Sequence, residues 1–360
     1  MIPKSGSRFS DKIMLQREAA AAGGRRPSRN QGRTTMKAVR ILLLTLAALA
    51  VAIPAKAQDW PSRPVSLLVP FAAGGPIDVV ARLLGPRLTE ILGQQVIVEN
   101  LGGAGGANGA TRVARSTPDG SLFLFGNQAT HTFSALMNKR LPYNPVNDFE
   151  PVSLLLSNVK VLVVRKDLPT KSLKEFVAYT KANQAKMQYG SAGAGSATHM
   201  TCVLLNGAMG AHTTHVPYRG TSLAFQDLVA GRIDYMCDVI STALPHIKAG
   251  TVTPLALLSN SRSPVLPDLP TALEQGLPGV DGDGWNAFFF PKDTPKPIVQ
   301  KLAQAASETI DTPAIRERIA GLGLVLPGRA ERGPAALGRL VTEELKKWGP
   351  AVKASGVSID

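Results

Sequence analysis

Charged and aromatic side chains are scarce in this chain, and cysteine is nearly absent. Of 360 residues, 18% are charged, 5% are aromatic and two are cysteines, Cys202 and Cys237. With 44% hydrophobic residues, so little charge excludes a disordered polyelectrolyte and leaves ample material for a buried core. The sequence contains no C-x-x-C, H-E-x-x-H, G-x-S-x-G or Walker loop, so no familiar catalytic or metal signature is assembled locally. The longest apolar run, Ile41 to Ile53, is too short for a membrane span of about 20 residues. The cysteines fall in an apolar helical pattern and at the end of a strand pattern. A body of this size does not need a disulfide, so two buried free thiols are the expectation.

What is present is first of all a basic leader. The net charge is +14, but eleven basic and two acidic residues precede Gln58, which leaves only +5 for the rest. No basic stripe with interleaved aromatics remains, so nucleic acid is not an expected partner. Met36 to Arg40 form a short basic stretch, Ile41 to Ile53 an apolar one, and Ala55-Lys56-Ala57 an A-x-A cleavage site. This is the pattern of a signal peptide. Residues 1–57 therefore read as a leader that starts functionally at Met36, is cleaved after Ala57 and sends the mature chain to a periplasm. No cysteine follows the cleavage site, which argues against a lipid anchor.

Beyond the leader, strand and helix patterns alternate. Pro64 to Phe71 is a short apolar run. From Pro76 to Leu92 apolar residues recur at helical spacing, at Ile77, Val80, Leu84, Leu88, Ile91 and Leu92. Further strands are read at Gln94–Asn100 and Ser121–Asn127, an α/β grammar of mostly parallel, doubly wound type with helices on both faces. The same grammar returns after Ser172, which opens a helix as a capping box with Glu175. The tail from Pro297 reads as helices with a break at Leu324 to Gly328. Two α/β lobes follow, with crossing strands at Val159–Val164 and Asn286–Phe290. Lobe 1 is expected over 58–160 and 287–360, lobe 2 over 161–286.

Three strand-to-helix turns are glycine-rich: Ala72–Gly75, Gly102–Gly106 and Ala192–Ser196. Ligands of open α/β sheets bind beyond the strands' carboxyl ends, where helix N-termini favour anions. A cleft with such turns on both walls suits a small carboxylate. Asp78 in the first helical turn reads chiefly as structural. The Gly103-x-Gly105-x-x-x-Gly109 run misses the third glycine of a dinucleotide fingerprint, having Asn108 there. His212 and His215 form an H-x-x-H pair without a third ligand, so no metal is expected. Ser191, Ser196 and His199 could serve either structure or ligand. Asp238, at the carboxyl end of a strand, could meet a ligand ammonium or hydroxyl, or cap the next helix.

The stretches PFAAGGPIDVVAR, VIVENLGGAGGANGA, LPYNPVNDFEPV, YGSAGAGSATHM, HVPYRG, CDVISTALPHIKAG, LPDLPTALEQGLPG and KKWGPAVKASGVSID, in this order, resemble the Bug family of extracytoplasmic solute receptors of tripartite tricarboxylate transporters. The resemblance covers nearly all of 58–360. It implies a two-lobe type II periplasmic-binding-protein fold with mixed sheets and a ligand cleft. It also implies no catalysis, no cofactor, a monomer, a small carboxylate ligand and membrane permease subunits as partners. By motif position it assigns Phe71, Ala73 and Gly74 to one wall and Ser191, Gly195 and Ser196 to the other, with His199, Tyr218, Arg219 and Asp238 nearby. Ile77 stands where the family often has Thr or Ser, and Cys237 where it often has an aromatic, which would leave the pocket end near Asp238 roomier. A carboxylate sensor for a membrane signalling partner and an exported NAD-linked enzyme are the alternative readings.

Overall fold

The computed structural model describes residues 60–355 and 358; the leader reading lies outside the described residues. The unit spanning Gln58–Asp360 begins with β1 (Val65–Val69), α1 (Pro76–Leu92), β2 (Val96–Asn100), α2 (Ala107–Ala114) and β3 (Leu122–Asn127). A π-helical turn, Ala129–Phe133, runs into α3 (Ser134–Met137), after which β4 (Phe149–Asn158) and β5 (Lys160–Arg165) follow with one residue between them. The second half continues with α4 (Leu173–Asn183), β6 (Gln188–Ser191), α5 (Ala197–Met209), β7 (Thr214–Pro217) and α6 (Thr221–Val229). Next come β8 (Tyr235–Val239), α7 (Ile240–Lys248), β9 (Val252–Leu257) and β10 (Gly284–Pro291). The tail is α8 (Lys296–Asp311), α9 (Pro313–Gly321), β11 (Leu324–Val325) and α10 (Pro334–Ser355).

Local chemistry sets these boundaries. Helix α1 opens with Pro76 at its first position, where a missing N–H costs nothing. It ends where Gly93 adopts φ 71° and returns its N–H to Thr89 O. Its buried stripe, Ile77, Val80, Ala81, Leu84, Leu88 and Leu92, packs on the first sheet. Ser172 caps α4 as expected, accepting the Glu175 N–H. The Glu175 carboxylate reaches the Lys171 N–H instead of the cap's own.

Two mixed sheets form, β11-β4-β10-β3-β1-β2 and β7-β6-β8-β5-β9. In the first, β1 is parallel to β2 and β3 while β10 is antiparallel to β3 and β4. In the second, β6 is parallel to β7 and β8 while β5 is antiparallel to β8 and β9. Both sheets are thus mixed, as the resemblance implies: β10 and β11 run against the parallel strands of the first sheet and β5 against those of the second, and for β10 and β5 the reason is connectivity. A crossing strand enters its sheet at the cleft, where the parallel strands end, and must run the other way. The expected lobe limits at 160 and 287 fall at the start of β5 and inside β10, which pairs with β4 from Gly284 onward. The predicted helix break at Leu324 to Gly328 contains β11, which extends the first sheet by pairing with β4.

Each sheet is covered on both faces. Leu67, Val69, Phe123 and Phe288 pack under α1 and α8, with Leu68, Leu124 and Phe289 under α2 and α10. In the second lobe Leu162, Tyr235 and Cys237 face α4 and α5, while Val161, Val163 and Met236 face α6 and α7.

The free-thiol expectation is corrected here: Cys202 on α5 and Cys237 on β8 are disulfide-bonded, Cα to Cα 5.5 Å. Alternation along β8 turns Cys237 into the α5 side of the lobe core and Asp238 to the opposite face. Cys237 therefore does not widen the pocket end near Asp238. Cross-linking residues 35 apart in sequence restrains the unfolded chain by about 4 kcal/mol in the loop-entropy account. Among the described residues no helix is long and apolar enough to cross a membrane.

Candidate functional site

The parallel strands of both sheets end at one cavity between the lobes, with an empty volume of about 520 Å³ counting its mouth. The first lobe contributes Phe71, Gly75, Pro76 and Ile77 from the β1–α1 turn, and Asn127 and Gln128 from the end of β3. The second lobe contributes Ala192 and Ser196–Thr198 around the start of α5, Thr221 at the start of α6 and Val239 at the end of β8. Asn158 and Gly284–Asn286, where the chain crosses between lobes, complete the lining.

Among the described residues none with a charged side chain lines this cavity. What faces it instead is amide, hydroxyl and helix N-terminus. Helices α1, α6 and α7 begin at it with no side-chain cap on their first N–H groups. Helix α5 begins there with Ser196 accepting the His199 N–H. Unpaired N–H groups and the positive ends of four helix dipoles converge on one space, which is an environment for an anion. Asn127, Gln128, Asn158, Asn286, Thr198 and Thr221 add neutral groups that orient a ligand without charge. Ile77 and Phe71 keep part of the wall apolar. No local pattern marks these amides and threonines; the meeting of the two lobes and the crossing of β4, β5 and β10 bring them together.

Of the residues that the resemblance assigns to the ligand, Phe71 and Ser196 line the cavity, while Ala73, Gly74, Ser191, Gly195, His199, Tyr218, Arg219 and Asp238 lie outside its lining. Asp78 holds the first turn: its Oδ2 accepts the Gly74 N–H at 2.8 Å and Arg82 Nε at 3.0 Å, and its Oδ1 accepts Asn100 Nδ2 at 2.9 Å. Burial pushes its carboxyl pKa up, but the Arg82, Gly74 and Asn100 hydrogen bonds outweigh this and hold it below the usual value. Ala73 and Arg219 join the lobes through their backbones. Ser222 Oγ donates to Ala73 O at 2.9 Å, and the Ala72 N–H donates to Arg219 O at 3.1 Å. The Arg219 side chain is exposed. Gly195 is part of the lobe 2 turn, and Ser191 and His199 lie behind that turn. Tyr218 donates its hydroxyl to Asp227 at 2.5 Å. His212 is exposed, while His215 is part of the stack behind the lobe 2 turn.

Asp238 is fully buried and accepts the Thr242 hydroxyl. Burial raises its pKa to about 6 against the opposing effects of Thr242, the Val239 backbone, Lys160 and Thr221. Lys160, buried at the crossing, donates to Gly282 O. Burial brings its pKa down to about 8, with Asp283 the strongest opposing charge. A further buried carboxylate, Glu344 on α10, fixes the cavity wall from behind. Its Oε2 accepts Gln128 Nε2 at 2.6 Å, Trp285 Nε1 at 3.2 Å and Trp348 Nε1 at 3.1 Å. It was invisible in the sequence because its helix pattern does not say which sheet it covers.

The glycine turns meet each other across the cleft. A Cβ on Gly105 would collide with Ala194 O and lie 2.8 Å from Ser196 N; one on Gly102 would lie 2.6 Å from Arg219 O. The second glycine run is therefore filled by the opposite lobe's backbone, where a nucleotide reading would need a pyrophosphate. These turn-to-turn contacts hold the two lobes together beside the cavity.

Comparison with known proteins gives a consistent set of likenesses. The family described as "TctC: Tripartite tricarboxylate transporter family receptor" matches residues 80–357. A UPF0065 protein of Agrobacterium vitis, from the TAR-I ttuE-ttuC' intergenic region, is 40% identical over 88% of this chain and 92% of its own. Protein BugT of Bordetella pertussis is 31% identical over 89% and 97%. Among solved structures, MatC of Rhodopseudomonas palustris with bound malate is 41% identical, with a TM-score of 0.79 over 81% of this chain and all of that one. An R. palustris protein with adipate is 31% identical, with a TM-score of 0.80 over 83% and 99%.

Proposed function

The chain belongs to the tripartite tricarboxylate transporter receptor family, and from that premise we propose that it captures a small dicarboxylate between its lobes and delivers it to membrane permease subunits. The observation that carries this reading is the cavity itself, ringed by four helix N-termini and neutral donors, with no charged side chain among the described residues of its lining. Such a site holds a carboxylate by dipoles and hydrogen bonds and leaves it free to depart when the lobes open. The bound acids of the two R. palustris structures, malate and adipate, support a dicarboxylate of four to six carbons. The receptor acts as a non-catalytic monomer, exported by the signal at Met36–Ala57, and closure is stabilised by ligand bridging the two walls.

A thermal-shift screen of mono-, di- and tricarboxylates tests this. An acid present at about 100 times its dissociation constant should stabilise the protein by about 2.7 kcal/mol, a rise of about 5 °C for a body of this size. If no dicarboxylate raised the melting temperature, the reading would fail.

A further inference from the structure

The lobe 2 turn Ala192–Ser196 is held from behind by side chains that do not line the cavity. Ser191 Oγ accepts the Gly193 N–H at 3.1 Å and lies 2.7 Å from His215 Nε2. His199 Nδ1 accepts the Gly195 N–H at 3.2 Å. The two imidazoles stack at 4.0 Å and 16°, and Tyr189 stacks on His215 at 4.9 Å. Two peptide groups of one turn, Gly193 and Gly195, are thus each tied to one member of a stacked imidazole pair, His215 through the Ser191 hydroxyl. Both glycines have positive φ, 113° and 78°, a conformation with many alternatives when unrestrained. The same turn meets Gly105 of the opposite lobe: a Cβ on Gly193 would lie 3.1 Å from Gly105 N.

We propose that His199 and His215 are positioning residues that set the Gly193–Ser196 backbone for lobe closure and ligand capture, without touching the ligand. This rests on the receptor reading above and goes beyond it, since the ligand-contact role expected of His199 is replaced by a role through the turn. Parallel rings at this separation require at least one neutral imidazole. Burial, together with the charge of His215, brings the His199 pKa down to about 3, and burial brings that of His215 to about 4. Both rings are therefore neutral near pH 7, and the pyridine-type nitrogen that His199 presents to Gly195 is an acceptor.

The geometry selects the rescuing variants. Asn places an oxygen where His has Nδ1, and Gln places its amide where His has Nε2. H199L and H215L remove the hydrogen-bonding atom, whereas H199N and H215Q keep one. The experiment measures amide exchange at Gly193 and Gly195 in the ligand-free protein, and calorimetric affinity for L-malate and adipate, in all four variants. The expected result is Gly195 exchange accelerated at least tenfold in H199L and restored in H199N, and Gly193 behaving likewise for H215L and H215Q. Affinity for the bound acid should fall at least tenfold in the Leu variants only. Unchanged exchange in folded H199L and H215L, or faster exchange with unaltered affinity, would overturn the proposal. A Leu variant that failed to fold would leave H199N and H215Q to decide, by whether wild-type exchange and affinity persist; loss of both in the folded Asn and Gln variants would overturn it. If the wild type bound neither acid, the dicarboxylate reading would fall, and exchange would still decide whether the imidazoles hold the turn.

Discussion

Glu344 is 8% exposed and accepts three hydrogen bonds on one oxygen, two of them from the cavity-lining residues Gln128 and Trp285. Removing a buried acceptor strands its donors, and an unsatisfied buried donor costs about 1–3 kcal/mol. Glu344→Ala is therefore expected to lower stability by about 3 kcal/mol in urea denaturation and to weaken dicarboxylate binding. Glu344→Gln, which still offers an oxygen, should lose less on both counts. Equal losses in the two variants would assign the effect to charge and not to the hydrogen bonds. Asp78 follows the same logic at the β1–α1 turn of the same lobe. Its position alone points to a structural role, because the first helical turn is a place where a carboxylate meets free N–H groups.

At the scale of elements, the glycine turns explain themselves by what they meet. Gly105 has φ 62° and its Cα faces Ala194 O and Ser196 N of the other lobe. Gly105→Ala should fold with only a modest backbone penalty of about 1 kcal/mol but resist closure. The expected result is a dicarboxylate affinity lowered at least tenfold and small-angle scattering that stays at the open dimension when the acid is added. A variant that closed and bound normally would remove this contact from the latch. The disulfide belongs to this scale as well. Neither cysteine's local pattern predicts it; α5 packing across β8 brings the two together.

For the whole molecule, the buried imidazoles dictate an acid-sensitive fold. Burial lowers the pKa of His131 and His199 to about 3 and that of His215 to about 4, below the ordinary 6.5 of an unfolded chain. As pH falls, the unfolded chain takes up these protons first. Stability is therefore complete above about pH 6.5 and is lost toward the folded values, by about 1.4 kcal/mol per pH unit for each imidazole. Asp238, raised to about 6, works in the opposite direction below that pH and offsets one of the three. The melting temperature should thus fall between pH 7 and pH 5, and fall less steeply in H199N, which does not titrate. A flat profile would mean that these rings are more hydrated than the fold implies.

The sequence by itself determined the strand–turn–helix grammar, the two-lobe plan and the wall turns. These follow from local periodicity and from glycine at turns; Phe71 and Ser196, which line the cavity, were assigned by the position of their motifs in the family resemblance. The tertiary structure decided the rest. It placed Asn158, Gly284 and Asn286 together where the chain crosses twice, set Glu344 behind the wall, paired Cys202 with Cys237, and brought His199 Nδ1 onto the Gly195 N–H. Each of these depends on which face of one element packs on another, and that is fixed by the joint burial of distant segments, a property no local stretch of sequence carries.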